Sequence, residues 1–316
     1  MCNTIRESVN MNLNTRLFFD GGTGTLLQKH GISGDPVAAN ISHPHAITDV
    51  HRAYLQAGAN VITANTFGAY RHKHDNFAEI IAAAMANARA AVGDTAVPFN
   101  SNLRTAQTTP LKRSSLSACS QVELNRNAYG AYIVLDMGPT GLMLEPYGDT
   151  TAEELADIFS QTIKQGAAQG ADAILIETMM DLNELEIAAA EAKKTGLPVL
   201  ATMSFDPSGR TMYGASIADL AGLARRLQLD AVGINCGQGL AGYKTLAAEL
   251  VSLAGRPVIV QPNAGLPEVV NGEARYNLSP AEFAEFMADI AGMGVQILGG
   301  CCGTTPAHIA AVVQRV

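Results

Sequence analysis

Two adjacent cysteines near the end of the sequence are the residues best suited to chemistry. Cys301 and Cys302 stand in the stretch LGGCCGTTP, and Cys236 stands earlier in GINCG. Thiolates are soft ligands for Zn²⁺, and three protein ligands with an open fourth position are typical of catalytic zinc. The residues alone leave two other interpretations open, because free cysteines are common in buried cores and adjacent cysteines can form a strained disulfide. The glycines around the pair are expected to permit a turn with φ values that other residues resist.

Composition excludes several classes of function. The chain has 316 residues, of which 47% are hydrophobic, so it can bury a large core. Its net charge of −8 argues against a nucleic-acid partner. No apolar run approaches the roughly 20 residues of a membrane span, and the polar N-terminus does not resemble a secretion signal. We therefore expect a soluble, cytoplasmic protein whose five cysteines are thiols or ligands, without a disulfide framework.

A repeated pattern predicts eight strand-then-helix units. In each unit a short β-branched run is followed by a cluster of Gly, Asn, Asp or Cys and then by a helical pattern rich in Ala and Leu. The runs occupy residues 16–25, 59–68, 131–141, 171–181, 198–209, 230–237, 256–265 and 294–303. Because no hairpin is predicted between them, the sheet should be parallel. Eight units predict a single-domain (β/α)8 TIM barrel, with an open doubly wound sheet as the alternative.

Two segments do not follow this rhythm. Residues 1–15 are predicted to be an N-terminal extension, which leaves 16–316 for the barrel. Residues 94–130 form a polar stretch that is longer than a usual connection, so we expect an insertion or a mobile loop there, with Cys119 as a surface thiol. Histidines are expected on helix surfaces or in loops, because none falls at a strand end; they are His30, His43, His45, His51, His72, His74 and His308.

Active sites of such barrels form where the strands end. The polar strand-end residues are Asp20 with Gly21 and Gly22, Asn65 and Thr66, Asp136, Glu177, Asn235 with Cys236, Asn263, and Cys301 with Cys302. Glu177 follows the apolar run ADAILI, so its carboxylate is expected either to bind an ammonium group at the mouth or to form a structural ion pair. The stretch DGGTGT lacks the lysine of a P-loop and is expected to offer backbone N–H groups to a carboxylate.

The stretches DGGTGTLLQ, NTFGA, DMGPTG, IETMMDLNELE, MSFDPSGR, GINCG, QPNAG and GGCCGTTPAHI, in this order, resemble the homocysteine S-methyltransferase family. The likeness is strongest to the homocysteine-binding barrels of cobalamin-dependent methionine synthases. It covers the chain from about residue 16 to residue 316 and leaves out the insertion.

The resemblance implies a ligand set and substrate contacts. Zinc would be held by Cys236, Cys301 and Cys302, and Asn263 would fill the fourth position until substrate displaces it. Glu177 would hold the homocysteine ammonium group with help from Asp20 and Gly21. The expected contacts of the substrate carboxylate are Gly22, Thr23, Asn65 and Thr66, and Asn235 is a further candidate substrate contact.

The implied reaction is attack of a zinc-bound homocysteine thiolate on a methyl group, which gives methionine. The DMGPTG stretch favours a methylcorrinoid donor carried by a separate protein or module, since no cobalamin-binding DxHxxG run is found. Three interpretations stay open: a stand-alone domain that docks with a corrinoid protein, an enzyme that uses S-methylmethionine or another small donor, or an excised part of a longer protein. A zinc- or thiol-binding module that serves a partner is the non-enzymatic alternative. A lyase or aldolase is disfavoured because no strand run ends in lysine.

Overall fold

The computed structural model describes residues 11–94, 131–237, 240–270 and 273–316. Of the predicted insertion at 94–130, only Asp94 falls within these ranges, so the rest of the insertion, with Cys119, lies outside the described residues. Asp94 is the last residue of a helix. Within the described ranges, no helix is long and apolar enough to cross a membrane.

Eight parallel strands form one sheet that closes on itself. They are β1 (Leu17–Phe18), β2 (Val61–Thr63), β3 (Tyr132–Met137), β4 (Ala173–Met179), β5 (Val199–Met203), β6 (Ala231–Cys236), β7 (Val258–Pro262) and β10 (Ile297–Leu298). Their order is β1-β10-β7-β6-β5-β4-β3-β2. A parallel bridge between Phe19 and Val61 joins the two end strands. This closure confirms the predicted TIM barrel and excludes an open sheet.

Ten helices are described around and between these strands. They are α1 (Thr23–Lys29), α2 (Ala39–Ser42), α3 (Pro44–Gln56), α4 (Phe77–Asp94), α5 (Ala152–Ala168), α6 (Leu182–Lys193), α7 (Ile217–Arg226), α8 (Tyr243–Ala254), α9 (Pro280–Gly292) and α10 (Pro306–Arg315). Local chemistry sets several of their starts. Thr151, Ser216 and Ser279 each accept a hydrogen bond from the N–H three residues on, whose acidic side chain bonds back to the cap.

A hairpin that the sequence analysis excluded lies between β7 and α9. It consists of the antiparallel strands β8 (Pro267–Val270) and β9 (Glu273–Tyr276). The expectation of no hairpin is therefore wrong. The sequence between these strands is Asn-Gly, the dipeptide most favoured in two-residue hairpin turns. These short strands lie outside the barrel sheet, so the pattern of strand-then-helix units does not reveal them.

The barrel interior is a separate apolar cluster, in which alternate strand residues point inward. Its members are Met11, Leu17, Phe19, Val61, Val134, Ala173, Leu175, Leu200, Ala231, Ile259 and Ile297. Met11 is only 5% exposed, and the neighbouring Asn12 N–H bonds the hydroxyl of Tyr132 at the start of β3. The packed unit thus includes part of the predicted N-terminal extension, which plugs the end of the barrel where the strands begin.

Two histidines are buried, contrary to the expectation of surface or loop positions. His51 on α3 is fully buried, and neither of its ring nitrogens has a hydrogen-bond partner within the described residues. Burial lowers its pKa to about 4, so the ring is neutral and packs as an apolar group. His308 is buried as well, and its Nε2 lies 3.0 Å from the carbonyl oxygen of Leu278. The expectation failed because the absence of a histidine from a strand end does not show whether its side chain faces the core or the solvent.

Replacement of Leu175 by alanine tests the interior cluster. Leu175 is fully buried inside the barrel, so Leu175→Ala should lower the free energy of unfolding by about 2–5 kcal/mol. Urea denaturation followed by circular dichroism measures the change. The control is Leu253→Ala on α8, where the side chain is 37% exposed and a loss below about 0.5 kcal/mol is expected. Equal losses in the two variants would contradict the described core.

Candidate active site and metal centre

Three cysteine sulfurs meet at the end of the barrel where the strands finish. Cys236 is the last residue of β6, and Cys301 and Cys302 follow β10; β7 alone separates these two strands in the sheet. The three sulfurs lie within 4.8 Å of one another, and all three cysteines are free. A tetrahedral zinc with bonds of about 2.3 Å places its sulfurs roughly 3.8 Å apart, so this donor set fits Zn²⁺ with small adjustments. The alternative of a disulfide between the adjacent cysteines is not found.

Close packing and backbone conformation both explain the glycines around Cys301 and Cys302. Gly303 has a φ of 78°, in the left-handed region that favours glycine. At Gly299 a Cβ atom would lie 2.7 Å from Phe19 Cβ, and at Gly300 it would lie 2.5 Å from the Thr304 side chain. The expectation of unusual φ values is therefore right for Gly303, whereas Gly299 and Gly300 allow the side chains of Phe19 and Thr304 to approach closely.

Cys236 is presented by a strained backbone. Its φ is 59°, a value that few residues other than glycine adopt. The hydroxyl of Tyr243 donates a 2.6 Å hydrogen bond to the Cys236 carbonyl oxygen. Gly237 continues the turn with a φ of 75°. Strain of this kind persists where surrounding contacts hold it, and here it turns the sulfur toward the other two cysteines.

The three thiols do not share their protons equally. The pKa of Cys302 is lowered to about 3, chiefly because hydrogen bonds from Cys236 and Cys301 stabilise its thiolate. The pKa of Cys301 is raised well above its usual range, chiefly because its hydrogen bonds with Cys236 and Cys302 favour the protonated form, and burial adds to this. One thiolate is thus supported by neighbouring thiols. Further thiolates in so small a space require a cation, and this is what a metal ion supplies.

Asn263 ties the two cysteine loops together. Its side-chain Oδ1 accepts a 3.0 Å hydrogen bond from the Cys302 N–H, and its Nδ2 donates to the Gly237 carbonyl oxygen, also at 3.0 Å. Asn263 therefore lies at the centre, as the resemblance implies. Its role as a fourth ligand stays a prediction, and a carbonyl oxygen with a second lone pair retains the capacity for it.

Tyr276 at the end of β9 also lies beside the cysteines, and the sequence analysis missed it. A Cβ atom at Gly303 would collide with the Tyr276 ring, which shows how closely the ring covers that turn. Burial raises the pKa of Tyr276, so the phenol stays protonated. After the two thiols, hydrogen bonding by this phenol also helps to lower the pKa of Cys302. The Asn-Gly turn of the hairpin was the sequence feature that could have located this residue.

A polar layer covers the apolar interior at the same end of the barrel. Five of its members lie two residues beyond an apolar interior residue of their strand, and Asn235 lies four beyond Ala231. The layer consists of Thr63, Asp136, Glu177, Thr202, Asn235 and Gln261. Because side chains alternate along a strand, these groups face the barrel axis just below the cysteines.

Asn235 links the acidic and the sulfur parts of this layer. Its Nδ2 lies 3.4 Å from Glu177 Oε2 and 3.9 Å from Cys301 Sγ. Its Oδ1 accepts from the Thr178 N–H at 2.8 Å and from the Thr202 hydroxyl at 2.7 Å. Thr178 has a φ of 59°, at a register shift in β4 that turns Glu177 toward the mouth. The Asn235 amide is the partner that holds this unusual backbone.

Glu177 and Asp20 have strongly raised pKa values, as does Asp136. Burial raises the pKa of Glu177 to about 8, and the nearby Cys236 and Asp20 charges add to the effect. Burial also raises the pKa of Asp20 to about 7, although Thr63 donates to both of its oxygens at 2.8 and 3.0 Å. Neither group forms a salt bridge with a described residue, so the alternative of a structural ion pair for Glu177 is not found. An ammonium group would satisfy this pocket.

The predicted carboxylate contacts are partly used by the protein itself. The Gly22 N–H donates to Thr304 Oγ1 at 3.1 Å, and the Thr66 N–H donates to the Ala64 carbonyl oxygen at 2.7 Å. The Asn65 side chain donates to the Pro36 carbonyl oxygen at 2.7 Å. Gly21 packs under Thr304 and Tyr54, where a Cβ atom would collide. These residues do line the first two strand ends, and Thr23 opens α1 there, but several of their donors already hold the loops in place.

A profile described as homocysteine S-methyltransferase matches residues 17–316. The chain belongs to the homocysteine S-methyltransferase family. The match spans every strand of the barrel and all three cysteines of the cluster. Membership thus rests on the same part of the chain that builds the site.

Individual proteins similar to this chain include methionine synthases and a homocysteine methyltransferase. The methionine synthases of Mycobacterium tuberculosis and Mycobacterium leprae are each 30% identical over 312 residues, which cover 94% of this chain and 24% of the relative. The chain therefore spans about a quarter of their length. The homocysteine methyltransferase MmuM of Escherichia coli has a TM-score of 0.70 at 22% identity in its apo form, covering 97% of this chain and 98% of that chain. Its metallated form has a TM-score of 0.71 at 21% identity, covering 96% of each chain. These structural matches support the fold.

Replacement of single cysteines tests the metal centre. In Cys301→Ser and Cys302→Ser, a hard hydroxyl takes the place of a soft thiolate, so zinc content after dialysis should fall from about one ion per chain to near zero. Elemental analysis by mass spectrometry measures the content. The control is Cys119→Ser, which should retain the ion because the sequence predicts no ligand there. Full zinc content in either of the first two variants would contradict the site.

The pH dependence of zinc affinity follows from the thiol pKa values. Because the pKa of Cys301 is raised, zinc must displace a proton from it at neutral pH, and affinity should increase as pH rises toward that pKa. The expected gain is about tenfold per pH unit for each displaced proton. Competition with a chelator of known pH dependence measures it. An affinity that is flat between about pH 6.5 and 8.5 would contradict the protonated state of Cys301.

Proposed function

We propose that the chain is a zinc-dependent homocysteine S-methyltransferase, which transfers a methyl group to the sulfur of homocysteine and forms methionine. The observation that carries the proposal is the meeting of two subsites at one barrel mouth: three cysteine sulfurs within 4.8 Å of one another, and buried carboxyl groups next to them. Membership of the homocysteine S-methyltransferase family supports it.

The two subsites suit the two ends of a short aminothiol. The cysteines form the sulfur end, and Glu177 forms the ammonium end. The Asn235 amide lies between them, at 3.4 Å from Glu177 Oε2 and 3.9 Å from Cys301 Sγ. A four-carbon amino acid can therefore reach both subsites at once. The substrate carboxylate is assigned to the first two strand ends, near Thr23 and Asn65.

The chain's own residues bind and orient the substrate in this proposal. Zn²⁺ held by Cys236, Cys301 and Cys302, with Asn263 as the exchangeable ligand, would lower the pKa of the substrate thiol so that its sulfur is nucleophilic at neutral pH. Glu177 fixes the ammonium group, and the Asn235 amide holds the Thr178 N–H and the hydroxyls of Thr178 and Thr202 around it. No described side chain is required to remove a proton during methyl transfer, because the thiol proton is lost before that step.

For the methyl donor we propose a methylcorrinoid bound by a separate protein or module. Two observations support it: the DMGPTG stretch that ends β3, and the methionine synthases at 30% identity, of whose length the chain spans about a quarter. S-methylmethionine or another small donor is the alternative. A zinc- or thiol-binding module that serves a partner is the non-enzymatic alternative.

A parallel assay separates these functions. The zinc-loaded protein is incubated with homocysteine and, in separate reactions, with methylcobalamin, S-methylmethionine, S-adenosylmethionine or betaine, and methionine is measured by mass spectrometry. We expect methionine with methylcobalamin, and none from the Cys302→Ser variant. If methionine forms only in the reaction with S-methylmethionine, the methyl donor is a small molecule and the proposed corrinoid donor is wrong. Homocysteine binding without turnover by any donor, including a methylated corrinoid protein, would favour the non-enzymatic module.

Replacement of Glu177 tests the ammonium subsite. Glu177→Gln keeps the shape but cannot ionise to pair with the substrate ammonium group, so KM for homocysteine should rise about 10- to 100-fold, corresponding to the roughly 1.5–3 kcal/mol of a hydrogen bond to a charged group. Zinc content should stay at the wild-type value. The matched control is Glu153→Gln at the exposed start of α5, which should leave KM unchanged. An unchanged KM in Glu177→Gln would show that Glu177 does not bind the ammonium group.

A further inference from the structure

Three protein sulfurs share the centre with the substrate sulfur, so four thiolates compete for one methyl group. Cys236, Cys301 and Cys302 lie within 4.8 Å of one another, and no Lys, Arg or His of the described chain acts on their charges. A thiolate is a nucleophile whether it belongs to the substrate or to the protein. Methylation of a cysteine would turn an anionic ligand into a neutral thioether and spoil the centre. The protein therefore needs a means of making its own sulfurs less reactive than the substrate sulfur.

A phenol lies against Cys302. Tyr276 is the last residue of β9, and its half-buried ring covers Gly303, where a Cβ atom would collide with it. Its hydroxyl donates a hydrogen bond to the Cys302 sulfur. Within the described residues, this hydroxyl holds no backbone group, so the sulfur is its partner. A hydrogen bond to a thiolate draws charge from the sulfur and lowers its nucleophilicity.

The other two sulfurs have amide groups beside them. Asn235 is fully buried, and its Nδ2 lies 3.9 Å from Cys301 Sγ, a separation that a large sulfur acceptor still allows. The Asn263 side chain hydrogen-bonds the Cys236 sulfur. Each protein sulfur thus has its own neutral donor, and the three donors come from different segments of the chain. Groups around a metal ligand adjust its donor strength in this way.

We propose that neutral hydrogen-bond donors make the three protein sulfurs poor methyl acceptors, and that the Tyr276 hydroxyl does so for Cys302. This inference rests on the proposed function. The substrate sulfur is then the most nucleophilic of the four: its lone pair attacks the methyl carbon, the bond from that carbon to its carrier breaks, and the carrier keeps the electron pair. A cysteine that loses its donor undergoes the same reaction more readily and becomes S-methylcysteine.

Chemical methylation of the zinc-loaded protein tests this role of Tyr276. The probe is iodomethane at neutral pH without homocysteine; the cysteine sulfur forms the new bond to carbon and iodide leaves with its electron pair. Tandem mass spectrometry of peptides gives the methylation rate of each cysteine. In Tyr276→Phe, which keeps the ring over Gly303, the rate at Cys302 should rise at least about fivefold, because a hydrogen bond to a charged acceptor is lost. The rate at Cys236 should change less than about twofold.

The control is Tyr147→Phe, since this side chain is 83% exposed on the loop after β3. It should leave all three rates at their wild-type values. An unchanged rate at Cys302 in Tyr276→Phe would overturn the inference. Equal increases at the three cysteines, or loss of zinc before treatment, would also overturn it, because both would indicate that Tyr276 only supports the structure.

The methylation experiment needs neither homocysteine nor a natural methyl donor. A protein that forms no methionine with any donor, yet shows the selective rise at Cys302, would contradict the proposed function and leave the action of Tyr276 on the sulfur intact. A protein that forms methionine but shows no such rise would contradict this inference alone.

Discussion

The closure of the sheet between Phe19 and Val61 is the constraint on which the rest of the structure depends. Closure places β1 between β10 and β2, so that the loop after β1 packs against the loop that carries Cys301 and Cys302. The Gly22 N–H then meets Thr304, and Asp20 meets Thr63. An open sheet would leave β1 and β2 at opposite edges and would separate these pairs. The polar layer and the sulfur cluster exist as one site because the strands end on a ring.

Within that ring, the fold holds two sets of side chains close together, one of thiols and one of carboxyl groups. Three thiols lie next to three carboxyl groups. Burial raises the pKa values of the carboxyl groups, whereas hydrogen bonds among the thiols raise the pKa of Cys301 and lower that of Cys302. The two sets call for different cations. Soft sulfur favours a transition metal, and hard oxygen with unused lone pairs favours an ammonium group. The Asn235 amide lies at the boundary between them and contacts both.

The backbone around the site is fixed by hydrogen bonds that cross between strands. Thr178 and Cys236 adopt left-handed φ values of 59°, and each is held by a side chain from elsewhere: Asn235 for the first and Tyr243 for the second. Asn263 joins the Gly237 and Cys302 backbones in the same way. Asn235 and Tyr243 thus hold the backbone that presents Glu177 and Cys236, and Asn263 holds the backbone of both cysteine loops beside its predicted role as a ligand.

The sequence by itself determined the eight strands, the barrel class and the three cysteines, because short β-branched apolar runs and adjacent thiols between glycines are local patterns. It also placed Glu177 and Asn263 at strand ends. Only the tertiary structure decided which polar groups are already satisfied. Asn65 and Gly22 are used by the scaffold, whereas Asp136 keeps an unpartnered oxygen, and such differences depend on partners far away in the chain. Tyr276 lies beside the cysteines and His51 is buried in the core for the same reason: the neighbours of a side chain depend on packing between segments that are far apart in the sequence.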